Sequence, residues 1–247
     1  MKKLVMRADD LGYCEAVNLG IYKSIRDGYI NNVGLMSNME YAQHGVKLIQ
    51  NENVCLGLHT NISAGKPICD SSKIPSLVNE NGMFKTSKDY KIAKEDIVLE
   101  EAVLEVEAQV QRFIELVGRK PEYLDEHAVQ SNNFFKALEI VSKKYELKYS
   151  PFPKSIDEPV KIGNTFVLFA GWSNVNISPF DSLKSIIEKE TNYVQLVVHH
   201  PGFLDAYIMK NSSLNIPRVY ELEMICNQDV HEYLKMMNVE CITYNDL

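Results

Sequence analysis

No apolar run in the 247-residue sequence approaches the roughly 18 residues of a membrane span. The apolar opening, Leu4-Val5-Met6, is also far too short for a secretory signal. A cytoplasmic protein with no membrane partner is expected. Cysteine is scarce and unpatterned: Cys14, Cys55, Cys69, Cys226 and Cys241 make an odd count with no CxxC pair, which fits free thiols in a reducing compartment. No cluster of Lys and Arg interleaved with aromatics occurs, and the formal net charge is -7, so phosphate backbones would be repelled and nucleic acid is excluded as a partner. There is no G-x-S-x-G elbow and no phosphate loop, and neither Cys14 nor Cys55 has a nearby base. Serine and thiol nucleophiles drop out with them. Repeats, low-complexity tracts and linkers are also missing, and a single catalytic domain over residues 1–247 is the simplest organisation.

What remains is an ordinary globular composition, 45% apolar and 24% charged, arranged as alternating strands and helices. Apolar runs at 4–6, 33–36, 54–58, 123–124, 194–198 and 239–244 read as strands. Val17, Ile21 and Ile25 mark a helix closed by Gly28. A second helix, over 95–117, repeats apolar residues at Val103, Val106, Val110, Phe113 and Val117 and stops at Gly118 and Pro121. Its acidic run over 95–107 reads as a wet face. Phe134, Leu138, Val141 and Tyr145 mark a third helix, 183–190 a fourth with Asp181 as its cap, and Asp229 is expected to cap a last helix through Met237. Residues 63–90 read as a long loop, and 150–181 resist assignment. The pattern predicts a mostly parallel α/β sheet or barrel.

Four strand ends carry groups capable of chemistry: Asp9-Asp10, His59, Asp125-Glu126-His127 and His199-His200. Each alone has an ordinary structural reading as a cap, a turn or a packed histidine. In a parallel barrel, however, every strand C-terminus opens on the same face, so these residues would converge. Two neutral imidazoles and one carboxylate form a divalent-metal set that leaves positions open for water and a substrate carbonyl. A second carboxylate could take the water's proton and a further histidine could protonate a leaving amine.

At these residues the chain resembles a known family. Ala8-Asp9-Asp10-Leu11-Gly12 is similar to the opening motif of YdjC-like carbohydrate deacetylases, which include chitooligosaccharide deacetylases. Gly57-Leu58-His59, Gly65-Lys66-Pro67, Leu124-Asp125-Glu126-His127, His200-Pro201-Gly202 with Asp205, and Pro217-Arg218 with Glu221-Leu222 resemble the family's later motifs in the right order. The resemblance implies a TIM-barrel-like (β/α) barrel, distorted, with fewer than eight regular strands. It implies one divalent metal ion, Mg2+ or alternatively Zn2+, held by Asp10, His59 and His127. Asp9 would be the catalytic base, His200 the acid or a substrate-orienting group, and Arg218 a substrate-binding residue. The implied reaction removes the acetyl group from an N-acetylated sugar, a small molecule or an oligosaccharide; the oligomeric state, homo-oligomers included, is left open. The alternatives are a non-catalytic sugar-binding protein of the same fold and a metal hydrolase acting on another amide or ester. The chain departs from the family pattern at Arg7, where Asn precedes Ala-Asp-Asp, at Tyr123, in place of a histidine, and at Glu126, in place of a serine.

Overall fold

A computed structural model describes residues 1–92, 96–153, 155, 158–172 and 178–247. The strands are β1 (Lys2–Leu11), β2 (Asn32–Leu35), β3 (Cys55–Thr60), β4 (Tyr123–Glu126), β5 (Lys148–Tyr149), β6 (Val160–Ile162), β7 (Thr165–Trp172), β8 (Val194–His199) and β9 (Val239–Ile242). The helices are α1 (Glu15–Arg26), α2 (Ala42–Ile49), α3 (Ser87–Ile92), α4 (Leu99–Val117), α5 (Asn132–Tyr145), α6 (Pro179–Glu188), α7 (Ala206–Asn211), α8 (Ile216–Cys226) and α9 (Gln228–Met236).

Neighbouring strands run in the order β5-β4-β3-β2-β1-β8-β7-β6, with β9 beside the first half of β1. Every pairing is parallel except β6 with β7. The wall is therefore a distorted (β/α) barrel whose one seam lies between β5 and β6. The C-terminal turn lies across that seam: Lys148 Nζ on β5 donates to the Tyr244 and Asn245 carbonyls, and the Asn164 N–H beyond β6 donates to the Leu247 carbonyl.

Side chains alternate across a strand, so each strand feeds two cores. Val5, Tyr123, Val167, Phe169, Leu196, Val198 and Ile242 fill the barrel interior together with Tyr244. Leu4, Met6, Ala8, Val33, Leu35, Leu58 and Leu124 face the surrounding helices. Gly57 is needed where it stands, because a Cβ there would lie 2.3 Å from the Tyr123 ring. Tyr123 in turn stacks on Tyr244 at 3.8 Å between centroids.

Several sequence expectations change. The helix expected from 95 starts at Leu99, while its stop holds: Gly118 adopts φ 81° and its N–H bonds the Ile114 carbonyl. Ser178, not Asp181, caps α6, and Asn227, not Asp229, caps α9. In each case the earlier residue has its side-chain oxygen two or three positions before the N–H it accepts from. The loop at 63–90 contains a 3-10 turn at Ser71–Lys73, the bridge Val78–Phe84 and most of α3. It folds back on α4, which corrects the reading of the acidic face: Glu105 is fully buried and accepts from the Ile68 and Cys69 N–H groups. Folded-back backbone donors need acceptors, and Glu105 supplies them. Helices α7 and α8 were not expected. In the stretch that resisted assignment, β6 and β7 form the antiparallel hairpin; residues 154, 156–157 and 173–177 lie outside the described residues. Among the described residues, no helix is long and apolar enough to cross a membrane.

Candidate metal centre and active site

Along β1 the alternation that turns Val5 inward also turns Arg7 and Asp9 inward, and would turn Asp10 out toward the helices. It does not, because Asp10 takes φ 77° where the β1–β2 register shifts between Ala8 and Leu11. A non-glycine residue in this region is uncommon, and a bulge is a usual way to re-aim a side chain beside a site. Both neighbouring aspartates thus reach the top of the barrel from different angles. His59 arrives from the inward face of β3. His127 stands one residue past β4, where its N–H bonds the Thr60 carbonyl at 2.8 Å. Gly34 on β2 leaves the room: a Cβ there would sit 2.8 Å from Asp9 Oδ1 and 3.0 Å from His59 Cβ.

Three donor atoms converge. His59 Nε2 is 3.1 Å from His127 Nδ1 and 3.4 Å from Asp10 Oδ1, and His127 Nδ1 is 3.1 Å from the same oxygen. Ligands at about 2.1 Å from one ion would stand roughly 3.0 to 3.4 Å apart in octahedral or tetrahedral arrangement. The triangle has those edges. His59 Nδ1 faces Asp125 Oδ2 at 2.9 Å, so its proton is best placed there and the Nε2 lone pair is left to point at the other two donors. Asp10 Oδ1 is buried and makes no well-directed hydrogen bond. Three electron-rich atoms packed this closely call for a cation or a proton between them. The same need shows in the titration of His59: burial alone would lower its pKa, but Asp9 and Asp125 outweigh burial and raise it well above the usual imidazole range. The residues present therefore fit a divalent metal ion.

Asp10 is held from the other side. Arg218, only 2% exposed, donates from Nη2 to Asp10 Oδ2 at 2.6 Å and from Nε to the Leu214 carbonyl at 2.8 Å. Burial works against ionising Asp10, but Arg218 and His127 prevail and keep its carboxyl well below the usual carboxylate range. Three residues further along α8, Glu221 accepts from the His200 backbone N–H. One helix thus fixes both the Asp10 carboxylate and the peptide of His200. Burial pushes the His200 imidazole down to about 4, although Asp10 pulls it up. Its neighbour His199 lies behind the wall, against Tyr29 at 5.9 Å between ring centroids, and burial pushes it down to about 4 as well.

A second acidic group lies beneath the first. Arg7 grips Asp9 with Nε to Oδ1 and Nη2 to Oδ2, both at 2.7 Å, and Nη2 also reaches Asp125 Oδ2 at 2.7 Å. Its Nη1 donates to the Tyr244 hydroxyl at 2.8 Å. Beside Asp125, burial and the neighbouring carboxylate push the Glu126 carboxyl up to about 8, and its Oε2 has no hydrogen-bond partner.

The structure therefore brings together Asp9, Asp10, His59, His127, His200 and Arg218. Arg218 reaches the centre through Asp10; its buried Nη1 has no partner among the described residues. Sequence reasoning named Arg7 only as a departure from the family pattern and gave neither it nor Asp125 a role of its own. The signal was present for both: a charged residue two positions before Asp9, and one two positions after Tyr123, share the inward face of a buried strand. No local pattern announces that Tyr244, from the end of the chain, meets Arg7.

A carbohydrate deacetylase of Clostridium beijerinckii is 29% identical over 250 residues, spanning 99% of this chain and 100% of that protein. One of Brevibacillus brevis is 30% identical over 254 residues, spanning 99% of each. A crystal structure from Enterococcus faecalis, whose protein carries the provisional name cellobiose-phosphate cleavage protein, shares the fold with a TM-score of 0.85 at 23% identity, over 99% of this chain and 98% of that one. The model describing YdjC-like proteins matches residues 3–236, a span that includes Asp9, Asp10, His59, His127, His200 and Arg218, and the chain belongs to that family.

Proposed function

We propose that the chain, as one catalytic domain, removes acetyl groups from N-acetylated sugars with water as the attacking group. The observation that carries this reading is the triangle of Asp10, His59 and His127, with a carboxylate that is not part of it, Asp9, directly alongside. A divalent ion held there, Mg2+ by family resemblance or Zn2+ by its liking for imidazole, would acidify the water and polarise the acetyl carbonyl. Asp10, His59 and His127 would hold that ion. Asp125 fixes the tautomer of His59, and Arg218 fixes the carboxylate plane of Asp10. Asp9 takes the proton from the attacking water. Arg7 holds the Asp9 carboxylate in place for this.

His200 is neutral at rest near pH 7, since burial disfavours its imidazolium and a nearby dication would act in the same direction. It therefore acts as a relay: the proton that Asp9 takes from the attacking water is the one delivered to the leaving nitrogen through His200, so Asp9 and His200 both end the cycle as they began it. Products are acetate and the free amine of the sugar. Arg218, whose buried Nη1 has no partner among the described residues, is the group we assign to a substrate oxygen.

The test is acetate release from N-acetylated chitobiose by protein with and without a chelator. Release that stops with chelator and returns with added Mg2+ or Zn2+ supports the reading. Metal-loaded protein that releases no acetate from a broad panel of acetylated sugars would favour a sugar-binding protein of the same fold.

A further inference from the structure

Two sets of side chains at the barrel mouth have the composition and spacing of a metal site: Asp10, His59 and His127, and Asp9, His59 and Asp125. They share His59, which turns Nε2 to the first set and Nδ1 to the second. Enzymes that use two ions side by side build such adjoining sets. Here the two sets differ in what stands between the donors. In the first, among the described residues, no Lys or Arg nitrogen pairs with Asp10 Oδ1, the oxygen that faces the two histidines. The centre of the second holds the Arg7 guanidinium, with Asp9 Oδ1, Asp9 Oδ2 and Asp125 Oδ2 each 2.7 Å from one of its nitrogens.

We propose that Arg7 is a built-in cation that fills the second set and restricts the centre to one metal ion. This rests on the reading of the first set as a metal centre. Geometry and charge both argue for it. The guanidinium occupies the space that an ion would need to touch both carboxylates, and it is anchored from below by the Tyr244 hydroxyl, itself 3.1 Å from Ser150 Oγ and stacked on Tyr123. A side chain so fixed does not swing aside to admit a competitor. Asp9, Asp10 and Asp125 face Arg7 and Arg218 in a shell with almost no solvent contact. These groups carry a net charge of about -1, so one divalent ion leaves about +1, and a second would leave about +3 with no further anion to meet it. A permanent cation on Asp9 also serves the reaction differently from an ion. It cannot be lost to a chelator, and it leaves Asp9 outside the metal's ligand set, where its role is to accept a proton.

The test counts Mn2+ bound per chain, by titration of metal-free protein with Mn2+ alone and by the electron paramagnetic resonance of the loaded protein. Wild type should bind one ion with an uncoupled signal. Arg7→Met, close in length but uncharged, should bind two with the spin-coupled signal of neighbouring ions, and Arg7→Met/Asp125→Asn should return to one. If Arg7→Met does not fold, Arg7→Gln carries the same expectation. A folded Arg7 variant that still binds one ion, or a wild type that binds two, overturns the proposal while leaving the metal centre standing. A wild type that binds none overturns the metal-centre reading itself.

Discussion

Strands β1 to β4 and strands β5 to β7 build one wall under different rules. In the first group all pairings are parallel, and every strand except β2 carries a residue of the site within two positions of its C-terminal end; β2 contributes Gly34, which makes the room. In the second group β5 has two residues, β6 turns back against β7, and the seam is covered by the C-terminal turn. Among the described residues, none of the donors of the centre comes from this group. The difference teaches that the chemistry needs only a rigid arc of adjacent strand ends, because ligands must be fixed to within fractions of an ångström. The rest of the wall has only to exclude water from the interior.

The strongest way to break this comparison is to cut a ligand from the arc. His59→Ala should abolish measurable metal binding while circular dichroism shows the fold retained, since His59 serves the centre and the outer core is untouched. Normal metal content in that variant would remove the site as drawn. Next in size is Asp9→Asn, which keeps shape but removes the base: turnover should fall by roughly 10²–10⁴ with metal content unchanged. If Asp9→Asn loses metal and Asp10→Asn keeps it, the two aspartates have exchanged roles.

A smaller effect concerns the junction at β8. His199 is held neutral by burial, with a pKa of about 4 against an ordinary 6.5. The unfolded chain takes up a proton on this residue below about pH 6.5 that the folded protein refuses until about pH 4. Its contribution is therefore complete above that window and is lost as pH falls through it, by on the order of 1–3 kcal/mol. Urea unfolding at pH 7 and pH 5 measures the loss, and His199→Phe should reduce it. An identical pH dependence in wild type and variant would rule this account out. The smallest effect belongs to the seam. Lys148→Met removes the donor to the Tyr244 and Asn245 carbonyls and should lower stability by about 1 kcal/mol in thermal melting, with acetate release unchanged. A matching fall in turnover would mean that the seam governs the site after all.

The sequence by itself determined the α/β alternation, and from it the convergence of Asp9, Asp10, His59, His127 and His200 on one face. Both follow from local causes: apolar periodicity sets the element type, and a parallel barrel has only one face where strands end. The outward-turning position after Asp9 could not be read as a ligand from alternation alone, because the φ of Asp10 is imposed by the bulge against β2. Glu105 passed for a surface residue because its partners, the N–H groups of Ile68 and Cys69, belong to a loop whose return path is not a local property. Only tertiary structure decided that Arg218 reaches Asp10 across 208 residues, that Arg7 meets Tyr244 across 237, and that the end of the chain covers the seam. Contacts at such separations depend on how whole layers pack, and nothing in the residues beside them encodes the partner.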